Sequence, residues 1–130
     1  MSHFVRIRTQ IREREHLAQA LRDLHYQFQE GRNLVVRGWQ GNRETAEVVV
    51  NTGSNYDIGF RRQAEEFEVV ADWWGVENNT PIRQRSFLEQ VGQRYSYNLV
   101  KEQAREQYLI VEEEQELANG DVVILLSERG

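Results

Sequence analysis

The first residues alternate. His3, Val5 and Ile7 fall on one side of an extended chain and Phe4, Arg6 and Arg8 on the other, the period of two of a half-buried strand. The period then changes. Between Arg12 and His25, Leu17, Leu21 and Leu24 form one stripe, with Arg14, Glu15, Arg22 and Asp23 off it, as in an amphipathic helix. Thr9 is placed to cap that helix. A short strand is expected over Tyr26–Gln29, ending at Gly31.

The middle reads as strands. Leu34–Arg37 leads into Gln40-Gly41-Asn42, a turn signal. Ala46–Asn51 holds three consecutive valines, and Thr52-Gly53-Ser54-Asn55 turns the chain again. Tyr56–Arg61 puts Tyr56, Ile58 and Phe60 on one face. After a turn at Arg62-Gln63-Ala64, Phe67–Trp74 reads as a long β-branched and aromatic strand. Short strands joined by tight turns predict an antiparallel meander.

Thr80 and Pro81 then read as N-cap and first residue of a helix. Phe87, Leu88, Val91, Tyr95 and Leu99 lie on one face, and the helix is expected to reach about Glu106, weakened at Gly92. Asn119-Gly120 predicts a tight hairpin between 108–117 and 121–128. Its register would put Gln115 opposite Ile124 and Leu117 opposite Val122. Glu112, Glu114 and Glu116 would then share one face. The order is β-α-β-β-β-β-α-β-β. This is an α+β fold, an antiparallel sheet with two helices packed on one face and the other face partly exposed.

Composition narrows the classes. A chain of 130 residues and 15.4 kDa is expected to form a single globular domain over 1–130. It has no cysteine, which excludes disulfides, thiolate zinc sites and cysteine nucleophiles. The longest wholly apolar run, Val122–Leu126, is too short to span a membrane, and no signal peptide is expected. The net charge of −5 is unevenly spread. Residues 1–62 carry ten Arg against seven acids, and residues 63–130 six basic residues against fourteen acids. An acidic chain is a poor general nucleic-acid binder.

Several stretches, taken in order, resemble a known family. They are Met1-Ser2-His3-Phe4 with Ile7, Thr9 and Ile11; Tyr56-Asp57-Ile58-Gly59-Phe60; Val70-Ala71-Asp72-Trp73-Trp74-Gly75; and Gln93-Arg94-Tyr95-Ser96-Tyr97. The chain resembles the hypothetical chloroplast reading frame thirty-five family, a domain family of unknown function (number twelve fifty-seven). The resemblance implies a cyanobacterial cytoplasm or, for algal relatives, a plastid stroma. It supplies no reaction, cofactor or catalytic residue. It does mark one departure: the position after Tyr97 is often His in the family and is Asn98 here.

Candidate chemistry is sparse. His3, His16 and His25 lack the spacing of a helical metal site, and no catalytic, cofactor or metal residue is assigned. Neighbouring Trp73 and Trp74 on a strand would point to opposite faces, so at most one enters the main core and the other either packs under the 75–82 connection or serves binding. Asp72, inside that apolar strand, would need a buried partner, with Arg94 or Arg61 as candidates. Tyr97 lies about 200° around its helix from Tyr95 and should face outward. Trp73, Trp74, Tyr97 and Asp72 therefore form the candidate interaction surface. Trp39 among Arg32, Arg37 and Arg43 could stack on single-stranded nucleic acid, provided the arginines form one face. The expected function is that of a non-catalytic accessory or protein-interaction protein. Its partner would be a protein, or a second copy pairing at an open strand edge. A small-molecule module with a pocket between sheet and helices is the alternative.

Overall fold

A computed structural model describes residues 3–106 in full, and residues 109–116 and 122–128 as backbone strands. The order is β1 (Val5–Arg8), α1 (Arg14–Asp23), β2 (Gln27–Arg37), β3 (Arg43–Asn51), β4 (Asp57–Gln63), β5 (Glu66–Ala71), α2 (Trp73–Asn79), α3 (Gln84–Glu106), β6 (Leu109–Glu116) and β7 (Val122–Glu128). The fold is α+β. Five antiparallel strands run in the order β1-β5-β4-β3-β2, and β6 pairs with β7 separately.

All three helices pack on one face. Leu17 and Leu21 of α1, Trp73 and Val76 of α2, and Phe87 and Val91 of α3 meet Val48, Phe60 and Val69 of the sheet in one core. Those three sheet residues stand opposite one another across β3, β4 and β5. Period-two strands thus meet period-3.6 helices along a shared apolar layer.

Local chemistry moves several boundaries. The strand expected to reach Trp74 stops at Ala71, because Asp72 caps a helix instead. Its carboxylate accepts the Gly75 N–H at 3.2 Å, and this cap overrides the strand propensity of the two tryptophans. Thr80 closes α2 rather than opening α3. Its hydroxyl donates to the Val76 carbonyl and accepts the Ile82 N–H. Thr9 does not cap α1. Its hydroxyl donates to the Phe67 carbonyl, while Tyr95, on α3, accepts the backbone N–H groups of Arg12 and Glu13 at 3.0 Å each. The helix ends two residues before His25 in a Schellman arrangement. Tyr26 N–H donates to Leu21 O, His25 N–H to Arg22 O, and His25 takes φ 65°.

The second face of the sheet is not left open at its centre. The two expected strands at 26–29 and 34–37 are one strand, β2, whose register with β3 shifts between Glu30 and Leu34. Beyond that bulge the β2–β3 hairpin folds back over β4. Val36 and Ala46 press on Gly59, where an added Cβ would lie 2.5 and 2.9 Å from them. Val36, Ala46 and Val49 form a second small core, with Phe4 and Leu34 packed against it.

In the β6–β7 hairpin Gln115 pairs with Val123 and Glu114 with Ile124, one residue off the expected register. A further shift between Val111 and Glu113 breaks the simple alternation that would set Glu112, Glu114 and Glu116 on one face. Leu117 and the Asn119-Gly120 turn lie outside the described residues.

Candidate functional site

The four residues singled out from sequence do not form one surface. Trp73 is 4% exposed in the main core against Phe87, and its Nε1 has no hydrogen-bond partner among the described residues. Asp72 is 1% exposed and acts as the cap of α2. Neither Arg94 nor Arg61 is its partner. Arg94 pairs with Asp23, and Arg61 with Glu68 and Glu44. Trp74, one helical step from Trp73, is 53% exposed. Tyr97 is half-buried rather than outward, its ring against Arg94 at 4.3 Å and Lys101 at 5.1 Å.

Tyr97 lines a polar cleft of about 590 Å³ between α1 and α3. At its centre Asp23 accepts hydrogen bonds from Arg94 at 2.9 Å, Asn98 at 3.2 Å and Gln19 at 2.7 Å. Burial pushes this carboxyl up, but the hydrogen bonds from Arg94, Gln19 and Asn98, with the Arg94 charge, outweigh it and hold it below the ordinary carboxylate value. Asn98 thus has a defined role at the position where the resemblance marked a departure. Nearby, Arg22–Glu30 at 3.7 Å joins α1 to β2 and Arg105–Glu102 at 3.1 Å lies within α3, so the bonds to Asp23 are the ones that join the two helices. The arrangement ties α1 to α3.

A second depression, of about 520 Å³, opens between β1 and α3. Phe60 and Val69 form its floor, Leu88, Val91, Gly92, Tyr95 and Leu99 its helix wall, and Ile7–Ile11 its strand wall. Arg8 is the one charged residue among those that line it. Sequence reasoning missed the place of Arg8, Gln10 and Gly92 here. The available signal was a glycine set within a helical stripe of large apolar residues.

In the basic cluster Arg37 and Arg43 stand opposite each other across β2 and β3, and Arg32 is exposed. Arg37 is bound to Asp57, and its hydrogen bonds to that carboxylate raise the guanidinium pKa against the opposing pull of burial. Arg6 and Arg61 converge on Glu44. The histidines stay apart, His3 and His25 exposed and His16 beside the Tyr95 ring. Among the described residues no three His, Asp or Glu side chains converge on a metal position, and no helix is long and apolar enough to cross a membrane.

The comparisons agree with the family resemblance. The sequence profile of a family described as "Protein of unknown function (DUF1257)" matches residues 20–125. The chain is 34% identical over 112 residues to the uncharacterized protein ycf35 of Guillardia theta, covering 82% of this chain and 80% of that protein. It is 29% identical over 102 residues to ycf35 of Cyanophora paradoxa, covering 77% and 76%, and 28% identical over 107 residues to ycf35 of Pyropia yezoensis, covering 82% and 81%. No solved structure matches. With its profile match spanning most of the sheet, all of α2 and α3 and most of both grooves, this chain belongs to the DUF1257 family, whose members include the ycf35 proteins.

Proposed function

We propose that this chain is a non-catalytic accessory protein that acts as one unit by docking a protein partner through Trp74. The observation that carries the reading is a half-exposed indole on a fixed mount. The Asp72 cap, buried Trp73 and the contact of Gly75 with Tyr56 hold α2 in place. A large aromatic already held outward loses little freedom on binding, which suits an interface anchor. The family points to a cyanobacterial cytoplasm or a plastid stroma as the compartment. The test is affinity capture from a cyanobacterial lysate with wild type and Trp74→Ala, both checked by circular dichroism. A partner recovered by wild type should fall at least tenfold with the variant. Equal recovery by both removes Trp74 from the contact. Trp73→Ala is a poor probe, because it would empty the core.

The groove between β1 and α3 favours a second reading, a small-molecule module. Its volume of about 520 Å³ lies within the range of ligand sites, roughly 300–1,000 Å³. A compound screen should then find ligands that raise the melting temperature of wild type and not of Gly92→Leu.

A further inference from the structure

The groove between β1 and α3 has a wall that small-molecule pockets do not require, a free strand edge. Thr9 N–H donates to the Phe67 carbonyl, and the Ile11 carbonyl accepts the Phe67 N–H. Within β1 the alternation turns the N–H and C=O of Arg8 the other way, off the sheet. Beyond it Thr9 and Ile11 bond the same residue, so 9–11 is a bulge. β1 is the outermost strand, and among the described residues the Arg8 backbone groups have no partner. Five consecutive residues, Ile7–Ile11, line the groove. Facing them, α3 presents Leu88, Val91, Tyr95 and Leu99 over about 16 Å of helix. That is the length of about five residues of strand.

Gly92 is a second, independent observation. A Cβ there would meet nothing within 4 Å. Glycine inside a helix is less stable than alanine, and no close neighbour or positive φ requires it here. The space before it is room for a side chain from elsewhere. Charge supplies a third. Arg6 and Arg12 pair with Glu44 and Glu66, whereas the Arg8 guanidinium has no ion pair among the described residues. No acid lines the groove.

We propose that this groove takes an extended segment of a partner protein. The segment is apolar at alternate positions, carries a carboxylate that meets Arg8, and adds to β1 as a sixth strand. The proposal rests on the protein-partner reading but not on Trp74.

The test pans a random dodecapeptide display library against the full chain and measures enriched peptides by fluorescence anisotropy. Variants are first checked by circular dichroism and melting, with Gly92→Ala as the milder companion to Gly92→Leu. Enriched peptides should alternate apolar and polar residues and include an acid. Binding should weaken at least tenfold in Gly92→Leu and at least threefold in Arg8→Glu, and hold in Trp74→Ala. The amide of Arg8 should exchange at least tenfold more slowly in the complex. Equal binding by Gly92→Leu, or no added protection at the Arg8 amide, overturns the proposal. Loss of peptide in Trp74→Ala alone moves the contact to α2, which overturns the groove proposal and supports the other surface. Binding of the neutral probe N-phenyl-1-naphthylamine, lost in Gly92→Leu and not displaced by any enriched peptide, makes the groove a small-molecule pocket and also overturns it. Self-association abolished by Gly92→Leu names a second copy as occupant and overturns the foreign partner.

Discussion

A methyl group at Gly75 would stand 2.1 Å from Cε1 of the Tyr56 ring. Helix propensity alone favours alanine there by up to about 1 kcal/mol. The clash outweighs that preference, because overpacking a buried contact costs about 1–3 kcal/mol. Gly75→Ala should therefore lower the urea midpoint, and Tyr56→Ala should remove that penalty in the double variant. Additive effects of the two changes would show that they do not meet. His25 carries an opposite expectation. It occupies the left-handed position after α1 that glycine prefers, and its side chain is exposed. His25→Gly should stabilise the fold by up to about 1 kcal/mol, read as a rise in midpoint with unchanged slope. An unchanged or lower midpoint would give the imidazole a role that the backbone geometry does not. Both positions were visible in the sequence, one beside a tryptophan pair and one among histidines whose spacing fits no helical metal site. Each is explained by backbone placement, which depends on neighbours distant in the chain.

At the scale of elements, what was legible followed from periodicity. The stripe of Phe87, Val91 and Tyr95 located α3 through to Glu106, and the alternation of Ile58 and Phe60 located β4. What was hidden depended on caps and long-range partners. Asp72 reads as a strand residue until its carboxylate is seen to accept the Gly75 N–H. The lead-in to α1, the N–H groups of Arg12 and Glu13, is held by Tyr95, more than eighty positions away. The α1–α3 pairing at Asp23 has the same long-range character and a pH signature. The folded Asp23 carboxyl sits below its ordinary value, so the unfolded chain binds the proton more tightly. The stability it contributes is complete above the unfolded value, about pH 4, and is lost as pH falls through the lower folded value. Asp23→Asn should cost about 0.5–1 kcal/mol at pH 7 and flatten the acid limb of a stability-versus-pH curve. An acid limb identical to wild type would mean that the pairing does not couple to folding. Glu44 adds to the same limb in wild type: burial raises its pKa, and the hydrogen bonds from Arg6 and Arg61 lower it by more.

For the whole molecule, the consequential feature is the hairpin folded over the second sheet face. Three helices cover one side, and covering the other requires the β2–β3 hairpin to bend. A bend cannot be read from an alternating pattern, since the pattern is the same for a straight hairpin. Gly59 and Asp57 were legible as motif residues, and the folded-over hairpin explains both. Gly59 admits Val36 and Ala46. Asp57, 5% exposed, accepts the Arg37 N–H and Nε–H at its Oδ2 at 2.9 and 2.8 Å, and Nη2 at its Oδ1 at 2.9 Å. The two sides of this pair are unequal. Arg37 is nearly half exposed, so removing Asp57 leaves a guanidinium that water can reach and one orphaned backbone N–H, a loss of about 1–2 kcal/mol. Removing the Arg37 side chain instead leaves a buried carboxylate with its charge unmatched, a loss of about 3 kcal/mol. Arg37→Ala should therefore destabilise more than Asp57→Ala. Both should speed amide exchange at Val36 and Ala46 well before exchange at Phe60 and Val69, because the main core does not depend on the folded-over hairpin. If all four amides accelerate together, the hairpin and the sheet are one cooperative unit, and the second face is covered as part of folding itself.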